Sequence, residues 1–240
     1  MAGNYRESPP GAALRLLVEC FWTQQPSLRP ARVLPDACID IVFSRAGGLQ
    51  LAGTMTRPLV APAARDAFVG VRFRPGMACC LLGAPAAALA DRVLPLDEIW
   101  GKRGRALAER LANSSGPEEM LAHFEAVLKP SRPVSPVQSA IGFLARNAGR
   151  VSLKEISRYA GLGERQLRRR CLEETGITPK QLARIARFRR ACSSLPPHSK
   201  PDWALFAAEY GYYDQSHFIH EFQQFSGYTP GDYVRLGVAS

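Results

Sequence analysis

Residues 211–230 read GYYDQSHFIHEFQQFSGYTP, and residues 160–179 read AGLGERQLRRRCLEETGITP. With one extra residue in the turn of the later copy, Gly161 aligns with Gly211, Leu167 with Phe218, Cys171 with Phe222, Gly176 with Gly227, and Thr178-Pro179 with Thr229-Pro230. A unit repeated in this way is one supersecondary motif used twice. In each copy a short helix (Leu153 to Ala160; Asp202 to Tyr210) ends at a glycine able to take positive φ, and a turn follows. A second helix then starts at an acidic residue, Glu164 or Asp214, suited to its positive end. The pattern predicts two helix-turn-helix units.

Helical periodicity assigns the faces. In the first unit Leu167 and Cys171 form the inward stripe, which turns Arg165 and Arg169 outward and leaves Arg168 on the flank. In the second unit Phe218, Phe222 and Phe225 point inward; Ser216, His220 and Gln223 point outward, with Gln215 and Ile219 on a shoulder. Such faces suit the major groove, where Arg pairs with guanine and Gln with adenine, and where Ser and His also reach base edges. Between the units, Pro179 to Ser193 predicts a helix of about 15 residues, roughly 22 Å long. Two recognition helices on that spacer could enter successive major grooves about 34 Å apart, with some bending of the duplex.

The cluster Asp214, Ser216, His217 and His220 invites other readings. A hydrolase triad assembles from separate elements and not from neighbours on one helix, so Asp214 is expected to be an N-cap. His217 and His220 stand at i, i+3, but no Cys or second carboxylate completes a metal set and the HExxH order is absent. No catalytic residue, metal or cofactor is therefore expected, and His217 is left without an assigned role.

The rest of the chain agrees with a nucleic-acid partner without requiring one. Its 240 residues carry a net charge of +10, which favours an anionic partner but also occurs in ordinary proteins. Residues 134–240 hold 15 Lys+Arg against 9 Asp+Glu, a balance of +6, and the residues before them 16 against 12, a balance of +4. Between residues 165 and 190, nine basic side chains (Arg165, Arg168, Arg169, Arg170, Lys180, Arg184, Arg187, Arg189 and Arg190) face only Glu173 and Glu174. An arginine run is ordinarily a solvated face; its place on the second helix of a repeated motif raises DNA contact above that default. No apolar run is long enough to span a membrane, and MAGNYRESPPG at the start lacks a signal peptide's apolar segment, so a cytoplasmic protein without membrane contact is expected. The six cysteines have no zinc-like spacing and are expected as buried thiols, Cys79-Cys80 in MACCLLG included.

KPSRPVSP, residues 129–136, reads as a linker, dividing the chain into residues 1–128 and 137–240. Before it, RVLPDACIDIVF, LQLAGT and AFVGVRF are expected to be strands, followed by helical segments near 76–90, 103–113 and 117–128. The predicted class is α+β: a β-rich first module with a helical annex, then an all-α second module.

The C-terminal sequence, above all GYYDQSHFIHEFQQFSGYTPGDYVR, resembles the AraC/XylS family of bacterial transcription regulators over roughly its last 105 residues. That resemblance implies seven helices, two helix-turn-helix units and binding to promoter DNA, with Arg165, Arg168 and Arg169 on the first recognition helix and Gln215, Ser216 and His220 on the second facing the bases. Two positions depart from the family: Cys171 stands where many members have Phe, and Gln223 and Gln224 where many have basic residues. The first module more loosely resembles an uncharacterised domain fused to such regulators, through LPDACIDIVF, VGVRFRPGMA and DRVLPLDEIWG. This implies sensing of a small-molecule effector or dimerisation, with RNA polymerase and a second copy of the chain as further partners. The competing reading is a DNA-repair alkyl acceptor with Cys38 as nucleophile, against which stands the lack of a four-thiolate zinc cluster.

Overall fold

The structure, a computed structural model, describes residues 5–28, 30–61, 63, 65–129, 133–195, 198 and 201–237. Eight strands come first: β1 (Tyr5–Ser8), β2 (Val18–Gln24), β3 (Ala31–Val33), β4 (Ile39–Ser44), β5 (Gly48–Ala52), β6 (Leu59–Ala61), β7 (Phe68–Phe73) and β8 (Val93–Pro95). Six of them form an antiparallel sheet in the order β1-β2-β7-β4-β5-β8, and β3 and β6 pair as a separate ribbon. Period-2 alternation divides the sheet's two faces. Phe21, Ile39, Ile41, Phe43, Leu51, Val69, Val71 and Phe73 enter a core closed by Leu107 and Leu111 of α3 (Lys102–Asn113) and by Met120 and Phe124 of α4 (Pro117–Val127).

The opposite face is polar. Asp40 and Arg72 are cross-strand partners, and Arg72 Nε lies 3.3 Å from Asp40 and 3.2 Å from Asp36. Trp22 lies opposite Gly70, so close that a Cβ there would sit 2.4 Å from the indole. The glycine is what lets the indole lie flat on the strand.

Three sequence expectations need correction. RVLPDACIDIVF is two strands, because Pro35 interrupts the ladder and Asp36 accepts from the Cys38 N–H at 2.9 Å to make a side-chain turn, with Ala37 at φ 64°. The helix expected at 76–90 is one turn, α1 (Cys79–Leu82), ended by Gly83 at φ 71°; Pro85 then starts a separate tight turn at 86–88. Strands β1, β2, β6 and β8 are additions to the expected set. A short helix, α2 (Asp97–Trp100), precedes α3. Residues 130–132 of the expected linker lie outside the described residues.

Seven helices follow: α5 (Pro136–Arg146), α6 (Leu153–Ala160), α7 (Glu164–Thr175), α8 (Pro179–Ser193), α9 (Trp203–Glu209), α10 (Gln215–Ser226) and α11 (Pro230–Arg235). Their starts are encoded locally. Ser135 with Gln138, Ser152 with Glu155, and Thr178 with Gln181 are reciprocal capping boxes, and Pro136, Pro179 and Pro230 occupy first helical positions. Their second core gathers Ile156, Leu167, Cys171, Ile185, Phe188, Phe218, Phe222 and Phe225, and it also takes in Leu34 and Ala37 from the strand-rich region.

The two regions are therefore in contact, and further contacts join them. Gln138, fully buried on α5, donates from Nε2 to the Gly76 carbonyl at 2.9 Å. The Cys79 thiol donates to Glu174 of α7 at 3.0 Å. The Arg32 guanidinium stacks over Tyr228, 4.6 Å from the ring centre, beside the turn that ends α10. The strand-rich region thus touches both repeated units.

Candidate nucleic-acid interface

Each repeat is a helix, a tight turn and a second helix. Gly161 and Gly211 end the first helices at φ 64° and 79°, and Gly176 and Gly227 end the second at φ 78° and 76°. All four occupy the left-handed conformation, where only glycine is unstrained, as the repeat predicted for Gly161 and Gly211.

On α7, Leu167 and Cys171 are buried, and Arg165, Arg168, Arg169 and Arg170 are exposed. Arg168 lies 3.0 Å from Glu164 and Arg169 3.4 Å from Glu173, both one helical turn away. Exposed pairs of this kind contribute about 0.5 kcal/mol, so the arginines can leave them for a stronger anion. Glu164 is the first residue of α7, with Gly163 as the N-cap, and Cys171 fills its place by reaching Thr175 and the Ile177 carbonyl.

On α10, Gln215, Ser216, His220 and Gln223 are exposed, and Phe218, Phe222 and Phe225 are buried. Asp214 is the N-cap, accepting from the His217 N–H at 2.7 Å. His217 completes the start of the helix: its Nδ1 accepts from the Tyr213 N–H at 3.2 Å. A histidine at this third helical position does what Glu or Gln does in a capping box, one residue further out. Of the suspected triad, Asp214 and His217 cap the start of α10.

One residue that the helical wheel did not single out organises the unit. Glu221 is 1% exposed, and α8 reaches it with two arginines: Arg184 Nε at 2.6 Å, and Arg187 Nη2 at 2.8 and 3.1 Å. Arg184 also donates to Gln224 at 2.6 Å. Two members of the expected solvated basic patch are thus partners of a carboxylate 37 and 34 residues further along. The only signal for this in the sequence is an acidic residue beside the apolar stripe of an otherwise polar helix. Paired and hydrogen-bonded, the carboxylate holds α10 to the spacer helix; a lone charge buried there would be costly.

The competing nucleophile fares poorly. Cys38 is buried, its thiol directed to the Asp36 carbonyl, and burial beside Asp36 and Asp40 holds its pKa well above the ordinary thiol value. The reactive thiolate is thus suppressed.

Residues 156–236 match the family described as a helix-turn-helix domain, and residues 6–95 match a domain of unknown function (DUF6597). The repeated helix-turn-helix geometry and this match agree on the class of the C-terminal part: residues 156–236 are a helix-turn-helix domain. In this chain that match follows the match of residues 6–95, which lies in the strand-rich region. Among solved structures, the chain is similar to the C-terminal domain of AraT, a response regulator from Geobacillus stearothermophilus, at 21% identity and a TM-score of 0.39, covering 44% of this chain and 88% of that one. It is also similar to a transcriptional regulator with an AraC-type DNA-binding domain from Chromobacterium violaceum, at 23% identity and 0.38, covering 41% and 88%. A single-residue variant of apo ToxT from Vibrio cholerae aligns over 97% of this chain and 100% of its own, at 10% identity and 0.48. No curated protein matches the chain. Among the described residues, no helix is long and apolar enough to cross a membrane.

Proposed function

We propose that the chain is a one-component regulator: residues 1–128 receive a small-molecule effector or a second copy of the chain, and residues 137–240 read promoter DNA through α7 and α10. The observation that carries this reading is the pair of exposed polar helix faces, each on the second helix of a repeated unit and each bordered by a fully packed apolar stripe. Arg165, Arg168 and Arg169 supply guanine-seeking donors on α7. Gln215, Ser216 and His220 supply a mixed donor and acceptor face on α10. The contacts of the strand-rich region with both units support a route by which a ligand bound to one half could bias how the other sits on DNA. Buried Cys38 favours this reading over alkyl transfer.

The test is an electrophoretic shift on the chain's own promoter. Arg169→Ala is expected to weaken specific binding by about 1–3 kcal/mol, because a bidentate base pair is lost. Unchanged affinity in that variant removes Arg169 from the interface. Selection of bound sites from random DNA should return two short boxes about one helical turn apart.

A further inference from the structure

The cleft between the spacer helix and the second recognition helix is lined by Lys180, Ala183, Arg184 and Arg187 of α8 and by His217, His220 and Glu221 of α10, and encloses about 450 Å³. Three full positive charges face one carboxylate, and that carboxylate lies at the bottom, 1% exposed and fully engaged by both arginines. The positive excess is consequently at the mouth. Lys180 is exposed there, and a guanidinium has five donors, of which Glu221 and Gln224 take only two from Arg184.

We propose that this cleft seats a single backbone phosphate of the DNA, in the stretch between the two boxes. The inference rests on the DNA-binding reading and deepens it. Placement identifies the occupant. His220, at the mouth, belongs to the outward face of α10, and Lys180 begins the spacer helix a few residues beyond the end of α7. A duplex lying against both recognition helices runs along the spacer helix that joins them, and residues of that helix form one wall of this cleft. Phosphate contacts fix register without reading sequence. A seat on the rigid spacer would therefore set how far the duplex must bend to reach both helices.

The experiment is equilibrium binding of the full chain to its promoter duplex between about 50 mM and 1 M salt, comparing wild type with Lys180→Gln. Removing one phosphate contact should reduce the slope of log affinity against log salt by about 0.9, equivalent to about tenfold weaker binding at 0.1 M relative to 1 M, and by the same factor on specific and random duplexes. A set of duplexes, each with one neutral methylphosphonate in the interbox stretch, should contain one position that weakens wild type and leaves Lys180→Gln unaffected. An unchanged slope in Lys180→Gln, or no such position, overturns the seat while leaving DNA binding intact. Failure of the wild-type chain to bind any duplex overturns the underlying reading instead. If inorganic phosphate at low millimolar concentration raises the melting temperature of wild type but not of Lys180→Gln while the two proteins share one salt slope on DNA, the cleft is a site for a free anion and the proposal falls.

Discussion

At the scale of single residues, the least expected features are two carboxylates with opposite circumstances, Glu221 buried and Asp40 half-buried. Glu221 is neutralised by two arginines in good geometry. Asp40 has Arg72 as a partner, but burial and the neighbouring Asp36 push its pKa up to about 7 from an ordinary value of 3.8. Between those two values the folded chain binds more proton than the unfolded chain, so stability falls as pH rises through that window. Chemical denaturation at several pH values should show this decline, and Asp40→Asn should flatten it. An identical slope in both proteins would mean that Asp40 titrates normally. Neither carboxylate was legible in the sequence. Asp40 reads equally as a pocket-lining residue or as one that alternates across a strand, and Glu221 as one more charge on a polar helix, because what distinguishes them is a partner distant along the chain.

Among the elements, legibility follows how local the cause is. The seven C-terminal helices and the glycines that end the helices of the two repeated units were readable because caps, prolines and apolar periodicity lie within a few residues of the structure they cause. The strands β1, β2, β6 and β8 were not, since VECFWTQ becomes a strand by pairing with β7, whose sequence is some fifty positions later. The broken helix near residue 80 is an instructive miss: alanine content suggested continuity, but Gly83 and Pro85 decided the outcome. The two recognition helices also differ at their starts. The N-cap of α7 is Gly163, with no side-chain acceptor, while α10 has Asp214 backed by His217. Asp214→Ala should therefore cost about 1 kcal/mol of stability by denaturation, and hydrogen exchange should localise the loosening to the first turn of α10. The same protection lost evenly over the whole domain would show that the cap is not a local device.

For the molecule as a whole, the junction between the halves matters most. Gly176 ends α7 with φ 78°, and a Cβ there would approach the Ala86 carbonyl of the strand-rich region to 2.7 Å. Gly161 has φ 64° and open space around it, which makes it a control with the same backbone strain. Each alanine substitution should cost about 1–2 kcal/mol through the left-handed backbone. Gly176→Ala should cost more, and should also speed hydrogen exchange around residues 86–88; equal losses in the two variants would show that the close approach adds nothing. The same junction has a consequence for how such chains are assembled. Because Leu34 and Ala37 sit inside the helical core, cutting the chain in its 129–136 stretch would leave the helix-turn-helix half with an open apolar socket. A fragment made that way should be sticky in solution, and any foreign domain grafted in place of residues 1–128 would have to bring its own plug.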